Sequence, residues 1–518
     1  MNKSILMKKL LDMGGIKEIE DSFIEVPGYL TGFNGFDFYS STLKTGIQGF
    51  PVINGGYFPR LTNIVGESGS GKTTFAVQTI ASTVDRLQRK FGSGFSEFFF
   101  YDPEQNTSST RITKLTGWNN QELVGKCIFN QKNVSLLELA NFIIKLADTK
   151  KRYKKELMIP TGIKDILGNE VIVLAPTFIL IDSVAAVNPS GIESLVAYDK
   201  SGDVKEVSRL ATNMDGATDA KAWTIFIRKM KPFLDEANIN LTLINHKTMG
   251  IQTDMFKMPT RVLPFLKPGE RLKGGNEIIY QSYMIIDLAS KEKYDQVKNP
   301  IYGPYVDGFG VQTTFVKNKN NVEGVSFPMV FDKSSGFLPE LGDFESLFQD
   351  KWGFSGSPMS MSLDILPEIK FTRKTLYSKC QEYPLLSRAL SFTTKINMGY
   401  KTLFNSTPPD LSNIGESRSL EDRVALVTSF TDTYPGYIDR GIDIPEELRK
   451  ISIENRRYFM SNVDFDLTDS IPTYDDIDLM SPDEEMEDTY ASFTDQTYDP
   501  YSETEELDGV KYTSFIDS

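Results

Sequence analysis

The chain has 518 residues, 40% of them apolar and 12% aromatic, so two or three folding units with sizeable cores are expected. Its longest apolar run, residues 171–181, is broken by Pro176 and Thr177 and is too short to span a bilayer. Two cysteines and one histidine exclude a disulfide framework and any zinc site of the usual ligands.

The net charge of −14 conceals two regions. Of 70 acidic and 56 basic residues, 18 acids and only Lys511 among the bases fall in residues 464–518. The remaining body is near neutral, at +3, so the low isoelectric point does not argue against nucleic-acid binding.

Taken in chain order, residues 1–30 predict a short amphipathic helix (Ile5, Leu6, Leu10, Leu11, Met13) and a turn-rich link. The start lacks an uninterrupted apolar stretch and a cleavage site, so no secretion signal is read and a cytoplasmic location is expected. From 31 to 338 apolar strands alternate with amphipathic helices. Strands are predicted at 61–65, 97–101, 177–181 and 239–244, and helices at 73–87, 136–146 and 217–237. Continuous apolar strands between helices imply an α/β fold with a mostly parallel sheet covered on both faces. Residues 339–405 predict a small helical C-terminal domain, with helices at 344–352 and 371–397. Residues 406–463 form a mixed extension. The acidic tail, 464–518, has too few aliphatic side chains to offset ordering and is expected to be disordered.

Residues 66–73 read GESGSGKT, which fits G-x-x-x-x-G-K-S/T between a strand and a helix. In this loop Gly66, Glu67, Ser68, Gly69, Ser70 and Gly71 present backbone amides to phosphate oxygens. Lys72 adds a charge, Thr73 a hydroxyl for Mg²⁺, and Thr74 lies in the first helical turn. ATP with Mg²⁺ is therefore the expected ligand. Hydrolysis needs a second carboxylate on the metal and a group that activates water. Asp182 ends the apolar strand FILID, and Glu104 follows the strand EFFFY. They are the candidates for metal ligand and general base. His246 stands where the strand LTLINH gives way to a polar segment.

These pieces, in this order, resemble the RecA-type recombinases, and within them the phage UvsX branch. The resemblance rests on TGFNGFDFY (31–39), the phosphate loop, IDSVAAV (181–187), LINH (243–246) and FVKNKNN (315–321). It covers residues 30–335 well and 340–400 weakly. It implies a RecA-like P-loop ATPase core. It also implies a γ-phosphate sensor at His246, and Lys317 and Lys319 reaching into a neighbouring protomer's nucleotide. Arg111 falls at the position that stacks on adenine in some relatives. The activity it implies is DNA-dependent ATP hydrolysis coupled to filament formation on single-stranded DNA, with pairing and strand exchange against double-stranded DNA in recombination and repair. The implied partners are a second copy of the chain, a single-strand-binding protein and a loading mediator, in a bacterial host's cytoplasm if the protein is phage-encoded. A hexameric replicative helicase and a non-exchanging mediator ATPase are the alternative readings.

Two long segments are read as loops at the strand ends nearest the nucleotide, 188–215 and 247–276. The second carries Lys247, Lys257, Arg261, Lys267, Arg271 and Lys273 against Asp254 and Glu270, together with Met255, Phe256, Phe265 and the pair Gly274 and Gly275. Cations for phosphates and apolar side chains for bases suit binding of single strands without sequence readout. The resemblance places both loops in a DNA channel.

Overall fold

The computed structural model describes residues 26–403 except 46–50, 166, 190–214, 250–260, 262 and 294–300, together with isolated positions between 407 and 427. The predicted N-terminal helix (through residue 25), most of the first loop, Met255, Phe256, Lys257 and the acidic tail lie outside the described residues.

The architecture is α/β around a large, mostly parallel sheet. In chain order its strands are β1 (Leu61–Gly66), β2 (Glu97–Tyr101), β3 (Cys127–Asn130), β4 (Thr177–Ile181), β5 (Ile239–Met249), β6 (Glu270–Leu272), β7 (Met284–Lys293), β8 (Gly308–Asn318), β9 (Ser326–Asp332) and β10 (Gly336–Phe337). Across the sheet the order is β10-β9-β8-β7-β1-β5-β4-β2-β3, with β6 paired to β5. From β7 to β3 all neighbours are parallel, while β8, β9 and β10 add antiparallel ribbons.

The apolar strands are continuous because both faces are buried, and successive side chains go to opposite faces. Phe98, Phe100, Phe178 and Leu180 join one core with Phe75 and Ile80 of α1 (Lys72–Phe91). Phe99, Ile179, Ile181, Leu241 and Leu243 join the other, against Leu139 and Ile143 of α2 (Leu136–Arg152) and Trp223 and Phe226 of α3 (Asp215–Glu236). Ser135 caps α2 in a reciprocal box with Glu138, which fixes where that helix starts.

The TGFNGFD segment is a structural knot. The buried Asp37 carboxylate accepts from the Thr31 amide at 2.7 Å, the Thr31 hydroxyl at 2.8 Å and the Gly32 amide at 2.8 Å. Asn34 beside it donates to Asp343 at 2.8 Å and to Ser391 at 3.1 Å, tying the N-terminal side of the core to the C-terminal segment.

That segment departs from the all-helical expectation. Between the helices Pro339–Asp350 and Leu376–Glu382 it forms a three-stranded antiparallel sheet, Phe354–Ser357, Ser360–Leu363 and Leu366–Phe371. The helix expected at 371–397 starts only at Leu376 and is divided at Pro384. A proline there removes an amide donor that an unbroken helix would need. No helix among the described residues is long and apolar enough to cross a membrane.

Candidate nucleotide site and the segment that leaves it

Parallel register brings the carboxyl ends of β1, β5, β4 and β2 to one edge. Gly66 lies opposite His246 and also opposite Leu288 of β7, while Tyr101 lies opposite Ile181. The Asp182 amide donates to the Tyr101 carbonyl at 2.9 Å, so the loops after β2 and β4 leave the sheet side by side. The Asp182–Ser183 peptide bond is cis.

The 66–73 loop has the shape its composition asks for. Gly69 and Gly71 have φ of 76° and 87°, which side chains with a Cβ rarely adopt. Nothing lies within 4 Å of where a Gly69 Cβ would be. Lys72 is buried, and its Nζ donates to the Gly66 and Glu67 carbonyls at 3.2 and 2.7 Å. Burial lowers its pKa to about 8, against the opposing pull of Asp182 and Glu104. The Ser70 hydroxyl, within the same cradle, is buried and has no hydrogen-bond partner.

Thr73 Oγ1 donates to Asp182 Oδ2 at 2.5 Å. Burial pushes the Asp182 carboxyl up to about 6; the Thr73 hydrogen bond opposes this and the charges of Glu104 and Asp102 reinforce it. A buried carboxylate beside two other acids is stabilised by a cation, and Thr73 with Asp182 supplies two hard oxygen donors. Among the described residues no group of three His, Cys, Asp or Glu could hold a metal by itself. Mg²⁺ commonly takes one or two protein oxygens and completes its shell with phosphate and water. The orphaned Ser70 hydroxyl, the backbone curl and this donor pair fit a Mg²⁺–nucleotide.

Glu104 is held over the site by neighbours the sequence reading did not single out. It accepts from the Ser183 hydroxyl, and from Asn106 Nδ2 at 2.9 Å. His246 Nε2 stands 3.9 Å from Glu104 Oε1. Burial, and then the nearby Lys72, lower the His246 pKa, while Glu104 opposes them; the imidazole is therefore neutral at pH 7. Asp102, by contrast, is fully buried and accepts from the Thr107 amide at 2.9 Å and Gln131 at 3.1 Å. It shapes the turn that presents Glu104.

The described part of the segment after His246 contains regular structure where a loop was expected. β5 runs on to Met249 and pairs with β6, Lys247 opposite Leu272 and Met249 opposite Glu270. Lys247 is mostly buried in an ion pair with Asp287 at 2.7 Å, so it does not face outward as a free cation. Phe265 packs with Val65 and Ile285 rather than projecting as a wedge. A Cβ on Gly274 would meet Ile278 and one on Gly275 would meet Ala220, at 2.2 and 2.8 Å, and both have positive φ. The glycine pair is thus accounted for by close packing. Arg261, Lys267, Arg271 and Lys273 are exposed.

Two sets of contacts tie this basic segment down, one to the nucleotide loop and one to β5. Lys267 Nζ pairs with Glu67 at 2.8 Å. The fully buried Asn245 donates from Nδ2 to the Lys273 carbonyl at 2.9 Å and accepts from the Lys273 amide at 3.1 Å. Neighbouring residues on one strand thus face the phosphate site and grip the returning chain.

The remaining expected residues lie elsewhere. Arg111 directs its guanidinium at the Lys333 and Ser334 carbonyls, at 3.0 and 2.8 Å, so the turn after β9 holds it. Lys317 Nζ donates to the Ile279 and Tyr280 carbonyls, both at 2.8 Å, and Lys319 is exposed. Both stand near the end of β8, which is antiparallel to β7: Lys317 lies opposite Ile285, whereas Gly66 lies opposite Leu288. They are at the amino edge of the parallel strands, away from the chain's own phosphate loop.

No family model matches the chain, and no curated protein matches it.

Proposed function

We propose that the protein is an ATP-dependent DNA recombinase of the RecA type, which forms filaments on single-stranded DNA and exchanges strands with a duplex. The observation that carries the ATPase part is the convergence of Lys72, Thr73, Glu104, Asp182 and His246 at the carboxyl ends of neighbouring parallel strands. Lys72 would exchange its loop carbonyls for phosphate oxygens, and Thr73 with Asp182 would hold Mg²⁺, which neutralises phosphate charge when bound. Glu104, oriented by Ser183 and Asn106, would accept the proton of the attacking water. The neutral His246 imidazole would donate to the terminal phosphate.

The DNA part is supported by the exposed cations Arg261, Lys267, Arg271 and Lys273, fastened to the phosphate loop through Glu67 and to the sensor strand through Asn245. A shift at His246 has a short mechanical path to that segment. Filament assembly is supported by the lysine pair at the amino edge: Lys317 and Lys319 could touch a nucleotide only on another copy. Their trans role, strand exchange itself and the adenine contact of Arg111 come from the resemblance.

Electron microscopy on single-stranded DNA with a slowly hydrolysed ATP analogue, beside a duplex-unwinding assay, tests the proposal. Extended helical filaments that pair homologous duplex are expected. Closed rings that unwind duplex would replace the reading with a helicase, and absence of assembly on DNA would favour a mediator ATPase.

A further inference from the structure

A second basic surface lies on the opposite edge of the sheet. We infer that Lys145, Arg152, Lys154 and Lys155, with the ring of Tyr153, form a contact site for single-stranded nucleic acid, separate from the segment beside the phosphate loop. The inference builds on the proposed function only in assuming that the chain meets nucleic acid.

Helix α2 fixes the place. It starts at the carboxyl edge, where the Leu136 amide donates to the Asn188 carbonyl at 2.9 Å. Its 17 residues carry the chain about 25 Å to the amino edge. There the buried Lys150 donates to Ala175 and Thr177 at 2.5 and 2.9 Å, and Thr177 opens β4. Everything after Lys150 therefore emerges on the far side from Glu67 and Lys267.

Residues 151–156 are all exposed, Tyr153 by 51%. Cations at a helix C-terminus often only offset its dipole or pair locally, and Lys150 and Lys151 are engaged in this way. One is buried on the Ala175 carbonyl and the Thr177 hydroxyl, and the other pairs with Glu236 at 2.5 Å. Lys154 and Lys155 are not. They lie beyond α2, in the single turn Lys154–Leu157. Lys145, Arg152, Lys154 and Lys155 have no ion-pair partner among the described residues, although Asp148 and Glu156 are exposed close by in sequence. Unpaired cations on both sides of an exposed aromatic ring match a phosphate backbone with a stacked base. A smooth anionic surface would need the charges but not the ring. Lys319 shares this edge, but β8 is four strands from β4, about 19 Å across the sheet, so the patch and the lysine pair are separate features.

The test is fluorescence anisotropy of a labelled oligothymidylate with the full chain, without nucleotide, over a salt series. The triple variant Arg152→Ala/Lys154→Ala/Lys155→Ala should make the slope of log affinity against log salt shallower by about two, since each single-strand phosphate contact contributes about 0.7. Tyr153→Ala should weaken binding at least about fivefold with the slope unchanged, because stacking is insensitive to salt. DNA-independent hydrolysis should be unchanged in both variants, which checks folding. Unchanged affinity and slope in both would overturn the inference. Loss of binding to polyglutamate but not to the oligonucleotide would also overturn it, in favour of an acidic protein partner. Lys267→Ala/Arg271→Ala separates the two surfaces. If that pair weakens binding and the triple variant does not, the inference fails while the proposed function stands. If the wild-type chain binds no oligonucleotide without nucleotide but does so with a slowly hydrolysed ATP analogue, the inference alone fails, and if it binds none in either condition, both fail.

Discussion

Replacing Asp182 by Asn should stabilise the nucleotide-free protein while abolishing the proposed Mg²⁺-dependent hydrolysis. The carboxyl is buried 5% exposed, and its pKa rises from an ordinary 3.8 to about 6. The folded state therefore binds a proton more tightly than the unfolded chain does. Stability from this group is complete below pH 3.8 and is lost as pH rises through 6. At 1.36 kcal/mol per pH unit, the penalty above pH 7 is about 3 kcal/mol, and it shrinks to about 1 kcal/mol at pH 4.5. Asn is neutral throughout and can still accept from Thr73, so it avoids most of that penalty. Urea denaturation of both proteins without nucleotide or Mg²⁺ should show the variant ahead at pH 8, with its advantage shrinking by about two-thirds at pH 4.5. Mg²⁺–ATP should then stabilise the wild type much more than the variant. A variant no more stable than wild type at pH 8, or an advantage independent of pH, would refute the claim that a strained carboxylate waits for a cation.

Two further outcomes follow from the same geometry. Glu104→Gln keeps the hydrogen bonds to Ser183 and Asn106 within reach but removes the base; phosphate release should fall at least about 100-fold, with fluorescent-nucleotide affinity changed less than a few-fold. Asn245→Ala leaves the Lys273 amide and carbonyl without their partner, at a cost of about 1–3 kcal/mol. Hydrogen exchange at Lys273 should accelerate while nucleotide affinity holds, and ATP should no longer strengthen binding to single-stranded DNA.

The parts of this fold that were legible share a physical origin. Strands buried on both faces must be apolar throughout, so FILI and EFFFY announce themselves. The phosphate loop is legible because glycine is the residue that takes φ of 76° and 87° without strain. Polar residues after an apolar strand announce nothing comparable. Lys247 and Thr248 are polar because the strand there leaves the two-sided core and pairs only with β6, and a hydrophobic-run criterion ends the strand at Ile244. The three-stranded sheet after Asp350 escaped for a related reason: Phe354–Ser357 is mostly exposed, and its serines and glycines carry no alternation.

The site was half legible on the same grounds. Lys72, Thr73, Glu104 and Asp182 occupy positions that strand ends and a loop motif mark out in one dimension. Ser183 and Asn245 act on residues brought close only by folding: Ser183 and Glu104 are 79 positions apart, and Asn245 and Lys273 are 28 apart. The sequence signal for Asn245 is that a buried strand spends positions on amides, at Asn240 as well as at Asn245. Buried amides are costly unless all their hydrogen bonds are made, so a carboxamide there has to grip something. Asn245 grips the backbone that brings the basic segment back to the sheet. His246 faces the phosphate site one residue later because side chains alternate along a strand. On the proposed reading the Asn-His pair is a two-faced device: the pleat sends one side chain toward the candidate phosphate site and the other to the returning chain, and neither residue alone would couple them.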